Sequence, residues 1–128
     1  MKKILVPLLS LIVSFNAYGE WTKVAENKSG DTFYVDFDSV KVNGNVYYWQ
    51  LVDYLKPDQW GDLSAKTLYE TNCNIPQKDR VLSALYYTQP MGEGSTSTTD
   101  NKPREWEYLV FNSAGEEASN RACNFANQ

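Results

Sequence analysis

The sequence predicts an α+β domain: an antiparallel β-sheet of five to six strands with one C-terminal helix and a single disulfide. Three observations carry this prediction. Short segments rich in aromatic and β-branched residues follow one another along the chain, separated by turn signals. Only the stretch after Ser113 has small and apolar residues at helical spacing. The chain has two cysteines, Cys73 and Cys123, so only one pairing exists within it.

Residues 1–19 have the parts of a secretory signal peptide. Lys2 and Lys3 form a positively charged N-terminal region, and an apolar run follows. Ala17 and Gly19 are small residues at the two positions that a signal peptidase recognises. A retained anchor is the alternative, but the run is shorter than the roughly 20 residues of a membrane span. We therefore expect residues 20–128 to form one exported domain. No cysteine lies near the cleavage site, so we expect a periplasmic, cell-surface or extracellular protein without a lipid anchor.

The strands are predicted from their residue types and from the turns between them. Asn43 and Gly44 form the strongest hairpin signal, because a type I′ turn needs positive φ at both central residues. Residues 46–55 are apolar or aromatic on both faces, which is typical of a central strand. A bend is expected at Asp38 and Ser39. The predicted strands cover residues 32–37, 40–42, 46–55, 64–72 and 80–88, with the short segment 21–25 as an optional first strand. Residues 106–111 are expected to form a last extended segment.

Two further segments complete the predicted domain. Residues 89–102 contain two glycines and a run of serine and threonine, and we expect a mobile loop there. Ser113 and Glu116 have the spacing of a capping box, which predicts that a helix begins at this point. Ala118 and Ala122 then fall on one helical face. Because Cys123 lies well off that face, we expect the helix to end near Arg121.

Both cysteines lie in an exported chain, so we expect them to be oxidised and paired. The bond would join positions 50 residues apart, and the chain-entropy model assigns about 4 kcal/mol to such a loop. A redox pair is the alternative. It is disfavoured because redox cysteines usually stand as Cys-x-x-Cys.

Charge and composition disfavour several functions. Without Lys2 and Lys3 the domain has ten basic and sixteen acidic residues, a formal net charge of −6. This argues against binding to nucleic acid or anionic lipid. The chain has no histidine, the commonest general base and metal ligand. The composition does not exclude catalysis by a pair of carboxylates. Asp36 and Asp38 are close enough in sequence to form such a pair, but we interpret them as an acidic turn before the hairpin. We therefore predict no enzymatic activity, no metal and no cofactor.

The aromatic residues have two interpretations. Most are expected to pack within the sheet, yet a small sheet cannot bury nine tyrosines and four tryptophans. Tyr, Trp and Arg are enriched at protein-binding hot spots, so exposed aromatics near basic residues suit a protein partner. The candidate binding surface comprises Tyr86, Tyr87, Lys102, Arg104 and Trp106.

An ordered set of residues resembles the bacterial surface-adhesin protein E family. The set comprises Trp21, residues 33–36, 49–54 and 64–66, Glu70, Cys73, residues 91–94 and 106–109, and Cys123. The resemblance covers residues 21–123 and implies a sheet with a C-terminal helix held by one disulfide. It also implies a protein partner, since the family's namesake binds host matrix and plasma proteins, and it allows a homodimer, since the namesake can dimerise. The family's namesake is an outer-membrane lipoprotein, whereas this chain lacks a lipid-attachment cysteine.

The leading functional prediction is a non-enzymatic, adhesin-like binding module of the cell envelope with a protein partner. The first alternative is a structural or accessory periplasmic domain. A small-ligand binder would require a deep apolar pocket with convergent polar groups. An enzyme would have to rely on carboxylate chemistry alone.

Overall fold

The computed structural model describes residues 20–128, which form one antiparallel sheet and one long helix. The predicted signal peptide lies outside the described residues. Strands β1 to β6 are adjacent in chain order, and the short β7 pairs with the start of β5. A 3-10 turn, Pro90–Gly92, precedes β6. The elements are β1 Thr22–Glu26, β2 Thr32–Asn43, β3 Asn45–Asp53, β4 Ser64–Asn72, β5 Lys78–Tyr87, β6 Thr96–Asp100, β7 Glu107–Tyr108 and α1 Ala114–Ala126.

The predicted fold class is confirmed, but the sheet has seven strands in the described part of the chain. The prediction of a mobile loop at residues 89–102 is wrong. This segment contains the 3-10 turn and β6, which pairs with β5 from Ala84 to Tyr87. Ser97 Oγ donates a hydrogen bond to Asp62 Oδ1 at 2.6 Å, which fixes the strand against the preceding loop. The β-branched threonines of β6 favour extended backbone, a signal that the polar composition obscured.

The predicted break between residues 37 and 40 is also wrong, because β2 is continuous through it. The pairing of β2 with β3 shifts register between Asp36 and Lys41, as at a β-bulge. Ser39 Oγ accepts a hydrogen bond from the Trp49 N–H at 3.1 Å and donates to the Asp36 carbonyl at 2.6 Å. The hydroxyl therefore satisfies backbone groups at the irregularity. The hairpin at Gly44, whose φ is +74°, is confirmed, and β3 is an inner strand as predicted.

Helix α1 packs against β1, β2 and β3 on one face of the sheet. Ala118 and Ala122 are fully buried and join a core cluster with Val24, Val35 and Tyr48. Small side chains on the helix allow its backbone to approach the sheet closely. The predicted helix start is confirmed, because Ser113 Oγ accepts a hydrogen bond from the Glu116 N–H at 3.0 Å.

The predicted disulfide between Cys73 and Cys123 is confirmed, with a Cα–Cα distance of 6.0 Å. The helix does not end near Arg121, as expected, but continues to Ala126 with Cys123 inside it. Cys123 is buried beside Ala122 and reaches Cys73, which directly follows β4. The final turn gains a further contact, because the rings of Phe125 and Phe37 pack with centroids 5.1 Å apart.

Candidate functional site

The face of the sheet opposite α1 is the candidate functional site. Side chains alternate between the two faces of a strand, so the strand register assigns each position to one face. Within the described residues, α1 covers the other face. The 3-10 turn approaches this one near residues 51 and 66, and Lys66 Nζ lies 5.9 Å from the ring centre of Trp21. We call the uncovered part the open face and define it by Tyr47, Trp49, Leu68, Glu70, Arg80 and Trp106.

Charged and aromatic side chains cross the open face in one connected row. Arg80 Nε donates a hydrogen bond to Glu70 Oε1 at 2.8 Å. Tyr47 Oη and Asn45 Nδ2 each donate to Glu70 Oε2 at 2.9 Å. The Arg80 guanidinium lies 5.0 Å from the centre of the Trp106 ring, within the range of a cation–π interaction. The row therefore holds two aromatic rings in fixed positions around one ion pair.

Glu70 is the electrostatic centre of this row. Its burial opposes ionisation, but hydrogen bonds from Asn45, Arg80 and Tyr47 outweigh that effect and hold the pKa of the carboxyl below its usual value. The carboxylate therefore stays charged at neutral pH and continues to orient its donors. Such a preorganised network lowers the entropy lost by surface side chains on binding a partner.

An apolar groove lies beside the charged row. Trp49 stands directly opposite Leu68 in the β3–β4 pairing, and both side chains are partly exposed. With Tyr47, Ser39 and other residues of the hairpin end they line a shallow groove of about 470 Å³. Large apolar side chains left uncovered on a sheet face are typical of an interaction surface.

The opposite end of this face is closed by the turn at residues 89–93. The Met91 N–H donates to Asp53 Oδ1, and the Gly92 N–H donates to Ser64 Oγ, both at 2.8 Å. Gly92 lies so close to the sheet that a Cβ there would be 2.5 Å from Lys66 Cε. The turn therefore limits the open face to the half that contains Trp49 and Trp106.

The five residues that the sequence suggested as one binding surface do not lie on the same side of the sheet. Trp106 lies on the open face, between Arg80 and Lys78 Nζ, which is 5.5 Å from its ring centre. Tyr87 projects from the same side but is buried, with Lys66 Nζ 5.1 Å from its ring centre.

The other three residues lie away from the open face. Tyr86 projects from the helix side of the sheet, where its hydroxyl accepts a hydrogen bond from Arg104 at 3.3 Å. Lys102 is exposed in the turn after β6, where its N–H donates to Asp100 Oδ1 at 3.0 Å. The structure therefore brings Tyr86 and Arg104 together and separates both from Trp106.

Sequence reasoning did not select Tyr47, Trp49, Leu68, Glu70 and Arg80 as a site. The sequence shows that Tyr47 and Trp49 lie on the same face of β3, but both faces of this strand carry apolar or aromatic residues. Periodicity alone could not decide which parity α1 covers. The pairing of Glu70 with Arg80 joins residues on neighbouring strands, so the chain order carried no direct signal for it.

The open face offers aromatic rings, an apolar groove and one ion pair. Among residues 20–128, no group of three or more cysteine, aspartate or glutamate side chains is arranged to hold a metal ion. Within the same residues, no helix has the length and hydropathy that a membrane span requires.

Comparison with known families gives one match. The model of the family described as Surface-adhesin protein E matches residues 21–124, which is most of the chain. Comparison with curated proteins and with solved structures found no match.

Proposed function

The chain belongs to the surface-adhesin protein E family, and from this we propose that it is an exported, non-enzymatic binding module of the cell envelope. Residues 1–19 direct export and are removed, which leaves residues 20–128 in the periplasm or at the cell surface. The partner is a protein, and host extracellular-matrix and plasma proteins are the first candidates. Family membership supports both the exported location and the adhesin-like role.

The open face is the observation that carries the proposed mode of binding. It combines Trp49, Trp106, Tyr47 and Arg80, the residue types that dominate protein-binding hot spots. Trp49 and Leu68 offer an apolar centre, while Glu70 and Arg80 supply a polar border with satisfied hydrogen bonds. This arrangement of an apolar centre and a polar rim is typical of protein–protein interfaces.

A second candidate function is an accessory domain within a periplasmic complex. The edge strand β6 favours it, because four of its five residues are exposed and its outer backbone groups have no neighbouring strand in the described part of the sheet. A free edge can accept a strand from a partner. Both candidates are binding functions, and they differ in the compartment where the partner is found.

Localisation separates the two candidates. An antibody raised against residues 20–128 is applied to intact source cells and to cells with a permeabilised outer membrane. The adhesin-like function predicts labelling of intact cells and saturable binding of the purified domain to at least one matrix or plasma protein. Labelling only after permeabilisation, with no saturable binding to such proteins, would reject that function and favour the accessory domain.

A further inference from the structure

One end of the sheet carries three chain connections side by side. They are the hairpin tip 42–45 between β2 and β3, the turn 73–77 between β4 and β5, and the segment 108–113 that leads from the end of β7 to α1. We call these three segments together the hairpin end. The connections that precede β2, β4 and β6 lie at the opposite end of the sheet, because the strands are antiparallel.

The three segments of the hairpin end form one continuous strip. Val46 pairs with Thr71, which places the hairpin tip next to the turn that follows β4. The Leu109 N–H donates a hydrogen bond to the Gln77 carbonyl at 3.3 Å, which joins that turn to the segment after β7. Neighbouring strands are about 4.8 Å apart, so the strip from β2 to β7 is about 20 Å long.

Exposed apolar side chains concentrate on this strip. Among residues 20–128, five of the large apolar side chains that are exposed belong to it: Val42, Ile75, Tyr108, Val110 and Phe111. Their exposed fractions run from 63% for Val42 to 87% for Ile75. The opposite end has Leu55 and Trp60. Exposed apolar side chains that are neighbours in space, unlike scattered ones, mark an interaction surface.

The hairpin end is also free of charge. None of its three segments contains an aspartate, glutamate, lysine or arginine, although 22% of the residues in the chain are charged. Each connection at the opposite end does contain such residues: Lys28 and Asp31 before β2, Lys56 before β4, and Glu93 before β6. Apolar exposure and absence of charge therefore coincide at the hairpin end only.

This combination favours a lipid bilayer over a protein surface as the contact. The side chains come from turns that project beyond the sheet, whereas protein hot spots are pockets and anchors rich in tryptophan, tyrosine and arginine. The strip offers mainly aliphatic groups and one phenylalanine, and valine is under-represented at such hot spots. The boundary of a bilayer requires neither a matching shape nor matching charges. It also favours a tyrosine such as Tyr108, whose ring is apolar and whose hydroxyl is polar.

The charges that border the strip indicate the kind of lipid. By strand register, Lys41 and Lys78 lie beside it on the side of the open face, and Asp79 and Glu107 lie beside it on the helix side. This mixed border suits headgroups that carry both a phosphate and an amine. The formal net charge of −6 for residues 20–128 opposes attraction to anionic lipid.

We propose that the hairpin end inserts its exposed apolar side chains into the surface of a phospholipid bilayer with zwitterionic headgroups. Ile75, Val110 and Phe111 enter the boundary between headgroups and acyl chains, and the Tyr108 hydroxyl stays among the headgroups. The contact uses the end of the sheet and leaves the open face accessible. The site therefore does not depend on the partner proposed for the open face.

The binding test is cosedimentation of the disulfide-bonded domain, residues 20–128, with vesicles of phosphatidylcholine and phosphatidylethanolamine. A single myristoyl chain binds a bilayer with a constant of about 10⁴ M⁻¹, and we expect about 10³–10⁴ M⁻¹ for a few partly immersed side chains. Half of the protein should then be bound at about 0.1–1 mM lipid. No binding at lipid concentrations tenfold above this range would overturn the proposal.

Two variants locate the contact. Phe111→Ser and Ile75→Ser should each lower the binding constant about fivefold, because each removes an apolar side chain from the inserted strip. Leu55→Ser is the matched control, since Leu55 is 65% exposed but lies at the opposite end, and its binding should be unchanged. Circular dichroism checks that all three variants are folded. Wild-type binding in both strip variants, or an equal loss in Leu55→Ser, would overturn the assignment.

Two further measurements distinguish other occupants. Raising the salt from about 0.1 M to about 1 M shortens the Debye length from about 10 Å to about 3 Å and should not weaken vesicle binding. Loss of binding at high salt would show an electrostatic contact and overturn the proposal. Sedimentation velocity without vesicles tests a second copy. A wild-type dimer that Phe111→Ser dissociates would assign the hairpin end to self-association and would also overturn the proposal.

Discussion

Replacing both Cys73 and Cys123 with serine is expected to lower the free energy of unfolding by about 4 kcal/mol. The bond closes a loop between positions 50 residues apart, and the chain-entropy model assigns about that value to its constraint on the unfolded chain. Domains of this size have a total stability of about 5–15 kcal/mol. The variant should therefore be close to unfolding at 37 °C.

In the folded state, the disulfide also anchors the C-terminal part of the helix to the sheet. Cys73 follows β4, whereas α1 packs mainly on β1, β2 and β3, so the bond ties the end of the helix to a strand outside its main contact. Urea unfolding followed by circular dichroism measures the loss. The reduced wild type is the control and should unfold at the urea concentration of the double-serine variant. A loss below about 1 kcal/mol would contradict this account.

Tyr48→Ala is expected to lower the free energy of unfolding by about 3–5 kcal/mol, the usual cost of removing a large aromatic side chain from a core. Tyr48 is 1% exposed and belongs to the cluster with Ala118 and Ala122. Its ring also stacks on that of Tyr69, with centroids 5.6 Å apart. The substitution leaves a cavity beneath α1 that the rigid sheet cannot fill.

Tyr108→Ala is the matched control, because it removes the same atoms from a side chain that is 67% exposed. Its effect on the free energy of unfolding should stay within about 0.5 kcal/mol. Thermal or urea unfolding of the three proteins checks both values. Similar losses in the two variants would show that the helix does not pack on Tyr48 as described.

Much of the sheet could be predicted from the sequence, because local chemistry determines it. Gly44 marks a turn that few other residues accept, and the capping residues Ser113 and Glu116 mark the helix start. The disulfide was predicted because only two cysteines are present. The turn and the helix start depend on residues that are close together in the chain, and two cysteines allow only one disulfide pairing.

The features that could not be predicted depend on contacts between distant segments. Strand β6 is polar, and its pairing with β5 and the Ser97–Asp62 hydrogen bond give it order. The last turn of α1 is held by the disulfide and by Phe37, neither of which affects helical periodicity. Tertiary contacts therefore override composition in these two places.

The candidate site shows the same limit. Trp106 was predicted, but its neighbours on the open face come from β3, β4 and β5 and meet only in the folded sheet. Tyr86 and Tyr87 are adjacent in sequence and were grouped together, yet the alternation of a strand places them on opposite faces. Grouping by sequence proximity fails for a surface built across strands.

The most direct test of the open face is to measure how two tryptophan substitutions change binding to a matrix protein or envelope fraction that the wild-type domain binds saturably. We expect Trp49→Ala and Trp106→Ala each to weaken binding about 30-fold, which corresponds to about 2 kcal/mol at a hot spot. Trp60→Ala is the matched control, because Trp60 is 75% exposed and lies in the loop before β4, outside the open face. Wild-type affinity in both open-face variants, with their folds intact, would contradict the assignment of this face to the partner.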